Sequence, residues 1–340
     1  MANLEPVAMN SAQLRHLEDV REFWERYDFL TSLQEKFRGA MSWKTVKGAE
    51  YLTRYWTDPD TGKKNMRSLG RRSPETEKQK DVFDQSRREV DKVVAEIKDD
   101  LEPIVRVGKA LKIGRLDPIA ADVLREFARQ ELLGRRLMVI GSAAMNLYEA
   151  AAGAFMPRAI MTEGDLDVLS TATTASEAFE ELLLLLRRAD KSFELDVDVH
   201  VASNNRGYRV HLHTHRSLRQ SVEELGKGSE EQISVLCSLL DMAPVSAATV
   251  ARDGSPVGMV GMDPRALALT KHALATLDPK RDGAAARMAN DQAYAIGRLV
   301  MKFGAKQFEE EHLEAFPAFA EQIDVGDPET TAIARKFFRP

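Results

Sequence analysis

Across residues 11–38 the apolar positions Leu14, Leu17, Val20, Phe23, Leu30, Leu33 and Phe37 recur at helical spacing with charges between them, which predicts an amphipathic helix or a pair. Residues 43–56 are rich in aromatic and β-branched side chains, Asp58-Pro59-Asp60-Thr61-Gly62 has turn chemistry, and residues 63–69 regain strand character. A small hairpin module is expected there. Ser73-Pro74-Glu75-Thr76-Glu77 combines a cap, a first-turn proline and early acids, and opens a long charged helix reaching to about residue 111. Residues 114–117 break it. Asp117-Pro118 then starts a helix to about residue 133, and residues 137–140 form a short apolar strand ending at Gly141-Ser142.

Further along, the pattern predicts a helix over 143–152, a strand over 166–169 and a helix over 176–189. Strands follow over 195–201 and 208–213, and residues 245–251 and 256–260, joined through Asp253-Gly254, have the form of a hairpin. Residues 263–302 turn helical, with a break near Asp278-Pro279, and a small helical tail closes the chain. No internal repeat or low-complexity tract is visible.

Composition changes this picture only by exclusion. With 44% hydrophobic residues, 30% charged residues and a formal net charge of −5 over 340 residues, the chain has the make-up of an ordinary soluble globular protein of about two domains. No global charge draws it to nucleic acid or to an anionic membrane, so any polyanion-binding surface must be local. The start lacks a basic region followed by an apolar run, and the longest apolar stretch, residues 182–186, is far too short to span a bilayer. A cytoplasmic location is the expectation. Cys237 is the single cysteine, which rules out an intrachain disulfide and a cysteine zinc site, and its apolar flanks predict a buried thiol.

The candidate chemistry lies in Gly164-Asp165-Leu166-Asp167-Val168-Leu169. Residues two apart on a strand share a face, so Asp165 and Asp167 would present two carboxylates to one cleft. Adjacent anions invite a cation, and a hard divalent ion such as Mg²⁺ or Mn²⁺ is suited to carboxylates plus the phosphates of a nucleotide. Gly141 and Ser142 complement them, because glycine permits close backbone approach and the amides opening the next helix can donate to phosphate. His211 and His213 alternate with His215, without a local acid or cysteine beside them, and are expected on a solvent-facing edge. Arg206, Arg209, Arg216 and Arg219 form a local basic patch. The N-terminal module interleaves Trp43, Tyr51, Tyr55 and Trp56 with Lys44, Lys47, Arg54, Lys63, Lys64, Arg67, Arg71 and Arg72. Such a mixture suits single-stranded nucleic acid, although about half of the rings are expected in the module's own core.

A Gly-Ser turn and helix followed by Asp-x-Asp on the next strand resembles the DNA polymerase beta-like nucleotidyltransferase superfamily. Gly141 to Asn146, Tyr148-Glu149-Ala150-Ala151-Ala152-Gly153, Thr162-Glu163-Gly164-Asp165-Leu166-Asp167, Asn205-Arg206-Gly207-Tyr208, Asp253-Gly254-Ser255-Pro256-Val257 and Asp263 to Lys271 are similar to one bacterial branch of it, related to abortive-infection nucleotidyltransferase toxins. The resemblance covers about half of the chain and implies an α+β fold, a small mixed sheet with flanking helices. A nucleotidyltransferase domain over 116–262 would lie between an N-terminal helical and hairpin module (1–115) and a C-terminal helical subdomain (263–340). It further implies that Lys271 reaches the triphosphate and that Asp291 is a later acid of the site. The superfamily's third metal-binding carboxylate has no obvious counterpart, since Gly207-Tyr208-Arg209-Val210 is followed by His211. Asp198, ahead of Asp196, is the substitute if their strand lies beside that of Asp165.

These readings predict a metal-dependent transfer of a nucleoside monophosphate from a nucleoside triphosphate to an RNA end, a protein hydroxyl or a small molecule. Transfer RNA, in a toxin-like or defence role, is the first acceptor the resemblance suggests. Two rival expectations stand beside it. One is a catalytically inactive nucleotide- or nucleic-acid-binding protein, and the other is a regulatory partner whose long helix over 74–111 builds a homo-oligomer interface.

Overall fold

The computed structural model describes residues 4–57, 63–162, 164–171, 175–196, 200–278 and 283–323. A short strand β1 (Val7–Ala8) leads to helix α1 (Ser11–Lys36), capped by the reciprocal bonds between Asn10 and Gln13. Strands β2 (Ala40–Val46), β3 (Ala49–Thr57) and β4 (Lys64–Arg71) then make an antiparallel three-stranded sheet. The single strand predicted over 43–56 is therefore two. Lys47 and Gly48 both take positive φ, 48° and 75°, the geometry of a two-residue hairpin turn that the strand's own twist favours.

Helix α2 (Pro74–Asp99) starts at the Ser73 cap as expected but gives way to α3 (Leu101–Leu111). The predicted single helix breaks because Pro103 has no N–H to donate and its ring would crowd the carbonyl four residues back; in the first turn of a new helix that deficit costs nothing. Helix α4 (Pro118–Arg129) stops short of residue 133, where Glu131 turns with a φ of 54°.

The rest of the chain builds the seven-stranded main sheet and its flanking helices, and the fold is mixed α+β. Strand β5 (Leu137–Ile140), helix α5 (Ala144–Ala152) and strand β6 (Ala154–Phe155), which pairs with β1, precede β7 (Asp165–Ser170). Helix α6 (Ala175–Ala189) leads to β8 (Glu194–Leu195), β9 (Val201–Ser203) and β10 (Arg209–Thr214). Helices α7 (His215–Glu223) and α8 (Glu230–Leu240) are followed by the β11 (Val245–Val250) and β12 (Pro256–Gly261) hairpin. The order across the main sheet is β11-β12-β5-β7-β10-β9-β8. Helices α9 (Pro264–Thr276), α10 (Gly283–Phe303), α11 (Glu310–Ala315) and α12 (Pro317–Ile323) end the described chain.

The strand predicted over 195–201 is not one strand. Strands β8 and β9 pair antiparallel, with the Asp196 N–H donating to the Val201 carbonyl at 2.9 Å, so residues 195 and 201 belong to two strands of opposite direction. One hydrophobic core runs from Leu4 and Trp24 through Leu166, Val168 and Val210 to Phe319 and Ile323. Helix α1 joins it through Trp24, whose indole lies where a Cβ on Gly258 would come within 2.1 Å of Nε1. Glycine on β12 is what lets this helix reach the sheet. Cys237 is half-buried rather than buried. Among the described residues no helix is long and apolar enough to cross a membrane.

Candidate active site

Leu166 and Val168 of β7 are buried in the core, so by strand alternation Asp165 and Asp167 share the opposite face, both partly exposed. Their Cα atoms are then roughly 6–7 Å apart. Strand β5 lies antiparallel on one side of β7 with Ile140 opposite Asp167, and β10 lies parallel on the other with His211 opposite Asp167. The chain leaves β5 at Gly141, with φ +68°, and a Cβ there would stand 2.0 Å from Asp167 Oδ2. Gly141 therefore makes room first for the carboxylate itself.

Asp167 is held from both sides. His213 Nε2 is 3.0 Å from its Oδ1. Burial pushes its pKa up, but the hydrogen bond from His213 and the charges of His213, His211 and Lys271 outweigh this and leave it below the ordinary value. Asp165 moves the other way: burial, and then the neighbouring Asp167, raise it. One strand face thus carries two carboxylates of divergent proton affinity, a hallmark of sites that handle charge. Asp165 Oδ1 is buried without a hydrogen-bond partner.

Asp167 opens onto a cleft of about 530 Å³ whose walls include Gly141, His200, His211, His213, Thr270 and Lys271, within the size range of small-molecule sites. Lys271 on α9 donates to Gln292 Oε1 on α10 at 2.8 Å, and Gln292 in turn donates to the Ile160 carbonyl at 2.8 Å. This relay fixes the ammonium on the cleft wall. Thr270 Oγ1, on the same wall, is buried with no partner. Asp165 faces a second, smaller chamber of about 90 Å³ beside Arg115, Asn146, Arg158 and Arg252.

The structure brings together Gly141, Asp165, Asp167 and Lys271. It does not bring in the rest. Ser142 is buried, and its carbonyl accepts the Met145 N–H, with its residue lining neither chamber. Asp291 is partly buried on α10, and it is its neighbour Gln292 that reaches Lys271. Asp198 lies outside the described residues. For Asp196 the condition fails, because β8, which it follows, is separated from β7 by β10 and β9. Histidines 211 and 213 are likewise not on an edge: β10 is an interior strand, and both line the cleft. His215 points elsewhere, to the Leu240 carbonyl at 3.3 Å.

Sequence reasoning missed His213, Thr270 and Gln292. The alternation of His211 and His213 was a usable signal, since a central strand turns such a pair towards its neighbour's carboxylates. Gln292 had none.

Among the described residues no group of three or more His, Cys, Asp or Glu side chains is arranged to hold a metal ion. Two carboxylates on one face, one of them with an unmet buried oxygen, still fit a hard divalent cation that completes its shell with phosphate oxygens and water.

A protein-family model described as Nucleotidyltransferase matches residues 119–317, more than half of the chain. It spans β5, β7, β10 and both helices of the Lys271–Gln292 contact. No curated protein and no solved structure matches the chain.

Proposed function

The chain belongs to the nucleotidyltransferase family matched over residues 119–317, and we propose that it transfers a nucleoside monophosphate from a nucleoside triphosphate to an acceptor hydroxyl. The hydroxyl oxygen bonds to the α-phosphorus, the bond to the bridging oxygen breaks, pyrophosphate leaves and the hydroxyl proton passes to solvent. Asp165 and Asp167 would hold Mg²⁺ or Mn²⁺, which when bound supplies positive charge between the carboxylates and the phosphates. Gly141, on the cleft wall, would border the phosphates, with Ser142 buried behind it rather than in contact, and Lys271 would meet their charge as a point cation. Asp291 retains at most a supporting part, through the turn of α10 that carries Gln292. The observation that carries this reading is the pair of carboxylates on one face of β7 with Lys271 across the cleft from Asp167.

RNA is the acceptor we favour, and the N-terminal sheet supports it. Cross-strand register puts Lys44, Tyr51 and Arg71 in one row and Tyr55 and Met66 in another on the same face. The opposite face takes Trp43, Leu52 and Arg54, and there Arg54 lies over Phe83 of α2 at 5.4 Å and Arg72 over Trp43 at 4.9 Å. The two tryptophans thus belong to the inner face and the two tyrosines to the outer one, a stacking surface flanked by cations. On this reading residues 1–115 deliver the acceptor, 116–262 carry the chemistry, and 263–340 supply Lys271. A toxin-like or defence role, a cytoplasmic setting and a homo-oligomer through α2 belong to the same proposal.

A second reading has one observation behind it: His211, opposite Asp167, stands on the neighbouring strand where a third acid would complete the metal site. A protein that binds nucleotide without turnover would fit that exchange. Incubation with Mg²⁺ or Mn²⁺ and each labelled triphosphate, with RNA, protein and small hydroxyl compounds offered in turn, tests both. Transfer that falls by about a hundredfold or more in Asp165→Ala/Asp167→Ala, the scale of losing a preorganised electrostatic group, supports the transferase. Nucleotide binding without any transfer supports the second reading, and transfer persisting in the double variant overturns the site.

A further inference from the structure

The smaller chamber, on the Asp165 side, has a chemistry that the proposed nucleotide cleft does not use. Gly114, Asp117, Asn146, Gly164 and three arginines, Arg115, Arg158 and Arg252, line it. Arg115 Nε and Asn146 Oδ1 are both buried without a hydrogen-bond partner. Asn146 is only 7% exposed, and its amide nitrogen is already engaged, donating to the Ala143 carbonyl at 3.1 Å. Unmet buried polar atoms are rare in folded proteins. An unmet donor on one lining residue and an unmet acceptor on another, beside two further arginines, point to a ligand that accepts and also donates.

Charge narrows the choice. Arg252 is paired with Asp117 and Arg115 with Glu149 at 2.8 Å, while Arg158 stands exposed on the lining. With Asp165 engaged by a divalent cation, as the proposed function has it, the remaining lining is net cationic. The volume of about 90 Å³ has room for several water-sized groups, enough for a phosphate with a neighbouring hydroxyl but not for a nucleobase and its sugar.

We propose that this chamber binds the reacting end of the acceptor, a hydroxyl close to a phosphate, with the phosphate towards Arg115 and Arg158 and the hydroxyl towards Asn146. It rests on the transferase reading for its place in the reaction: the nucleotide would lie on the Asp167 side and the attacking group on the Asp165 side of one carboxylate pair. The chemistry is shared by a phosphosugar and by the ribose-phosphate end of an RNA.

Equilibrium binding tests it without catalysis. Ribose 5-phosphate, ribose, a short single-stranded RNA and a non-hydrolysable nucleoside triphosphate with Mg²⁺ are titrated into the full chain, Arg158→Ala and Asn146→Ala. Arg158→Ala, on the surface, should keep the fold, and it should weaken ribose 5-phosphate or RNA by about tenfold or more, the scale of a lost charged hydrogen bond. Nucleotide affinity should stay within about twofold, and ribose should bind more weakly than its phosphate. Whichever of ribose 5-phosphate and RNA responds identifies the source. The proposal is overturned if neither binds, if neither responds to Arg158→Ala, or if the triphosphate alone responds, which would put the nucleotide's own tail in the chamber. Binding that behaves as expected with no label transfer would instead sink the transferase reading and leave the chamber standing.

Discussion

Strand β7 and the outer face of the β2-β3-β4 sheet obey the same alternation, and each turns polar side chains away from buried apolar ones, Leu166 and Val168 in the first and Leu52 in the second, yet only one of them makes an enclosed site. On β7 the polar face is walled in: Gly141 abuts Asp167, His213 bonds it at 3.0 Å, and α9 brings Lys271 across the cleft. On the N-terminal sheet Lys44, Tyr51, Tyr55 and Met66 share an open face, with Met66 60% exposed. Ion pairing follows the same divide. Arg115 and Glu149 pair with side chains 14% and 4% exposed, whereas Arg72 meets Glu50 and Glu77 with all three above 40%. Enclosure strengthens electrostatics by excluding water, so the walled strand suits charge-handling chemistry and the open one suits broad, weak contact.

The largest break in that contrast should come from Gly141→Ala. A Cβ at φ +68° and 2.0 Å from Asp167 Oδ2 must displace the carboxylate as well as strain the turn. We expect transfer to fall by about a hundredfold or more, with thermal stability down by about 1–2 kcal/mol, as read by activity assay and calorimetry.

Next in size is the enclosed carboxyl of Glu149, which burial raises from 4.5 to about 7 against the opposing pull of Arg115. The folded state therefore holds this proton more tightly than the unfolded chain. Its contribution to stability is full below about pH 4.5 and is lost as pH rises to about 7, by roughly 3 kcal/mol at 1.36 kcal/mol per unit. Glu149→Gln should flatten that part of the stability-versus-pH curve in urea titrations, whatever it does to absolute stability. An unchanged slope would show that Arg115 keeps the carboxylate ionised.

The open sheet should give the smallest effect. Tyr51→Ala with Tyr55→Ala should weaken single-stranded RNA about tenfold, as losing base stacking does, and leave nucleotide affinity and folding unaltered. An RNA affinity equal to that of the unmodified chain in a fluorescence titration would remove the platform and, with it, the main support for an RNA acceptor.

Much of this was legible locally. Ser73 and Pro74, Asp117 and Pro118, and Asp263 and Pro264 announce helix starts that the structure keeps. Gly164 to Leu169 announces a strand with two acids on one face. Less legible were the turn at Lys47-Gly48 and the break ahead of Pro103, where one backbone position overrides a longer pattern. Least legible was the role of His213, which depends on whether β10 sits at an edge or inside the sheet, and no run of residues in β10 encodes its neighbours.

The sequence by itself determined the caps, the periods and the pairing of Asp165 with Asp167, because these follow from geometry within a few residues. Tertiary structure alone decided that His213 touches Asp167, that Gln292 steadies Lys271, and that Arg115, Asn146, Arg158 and Arg252 ring one chamber. Those meetings join residues far apart along the chain. They are set by strand order and helix packing, which arise from the burial of the whole core and leave no mark on any single segment.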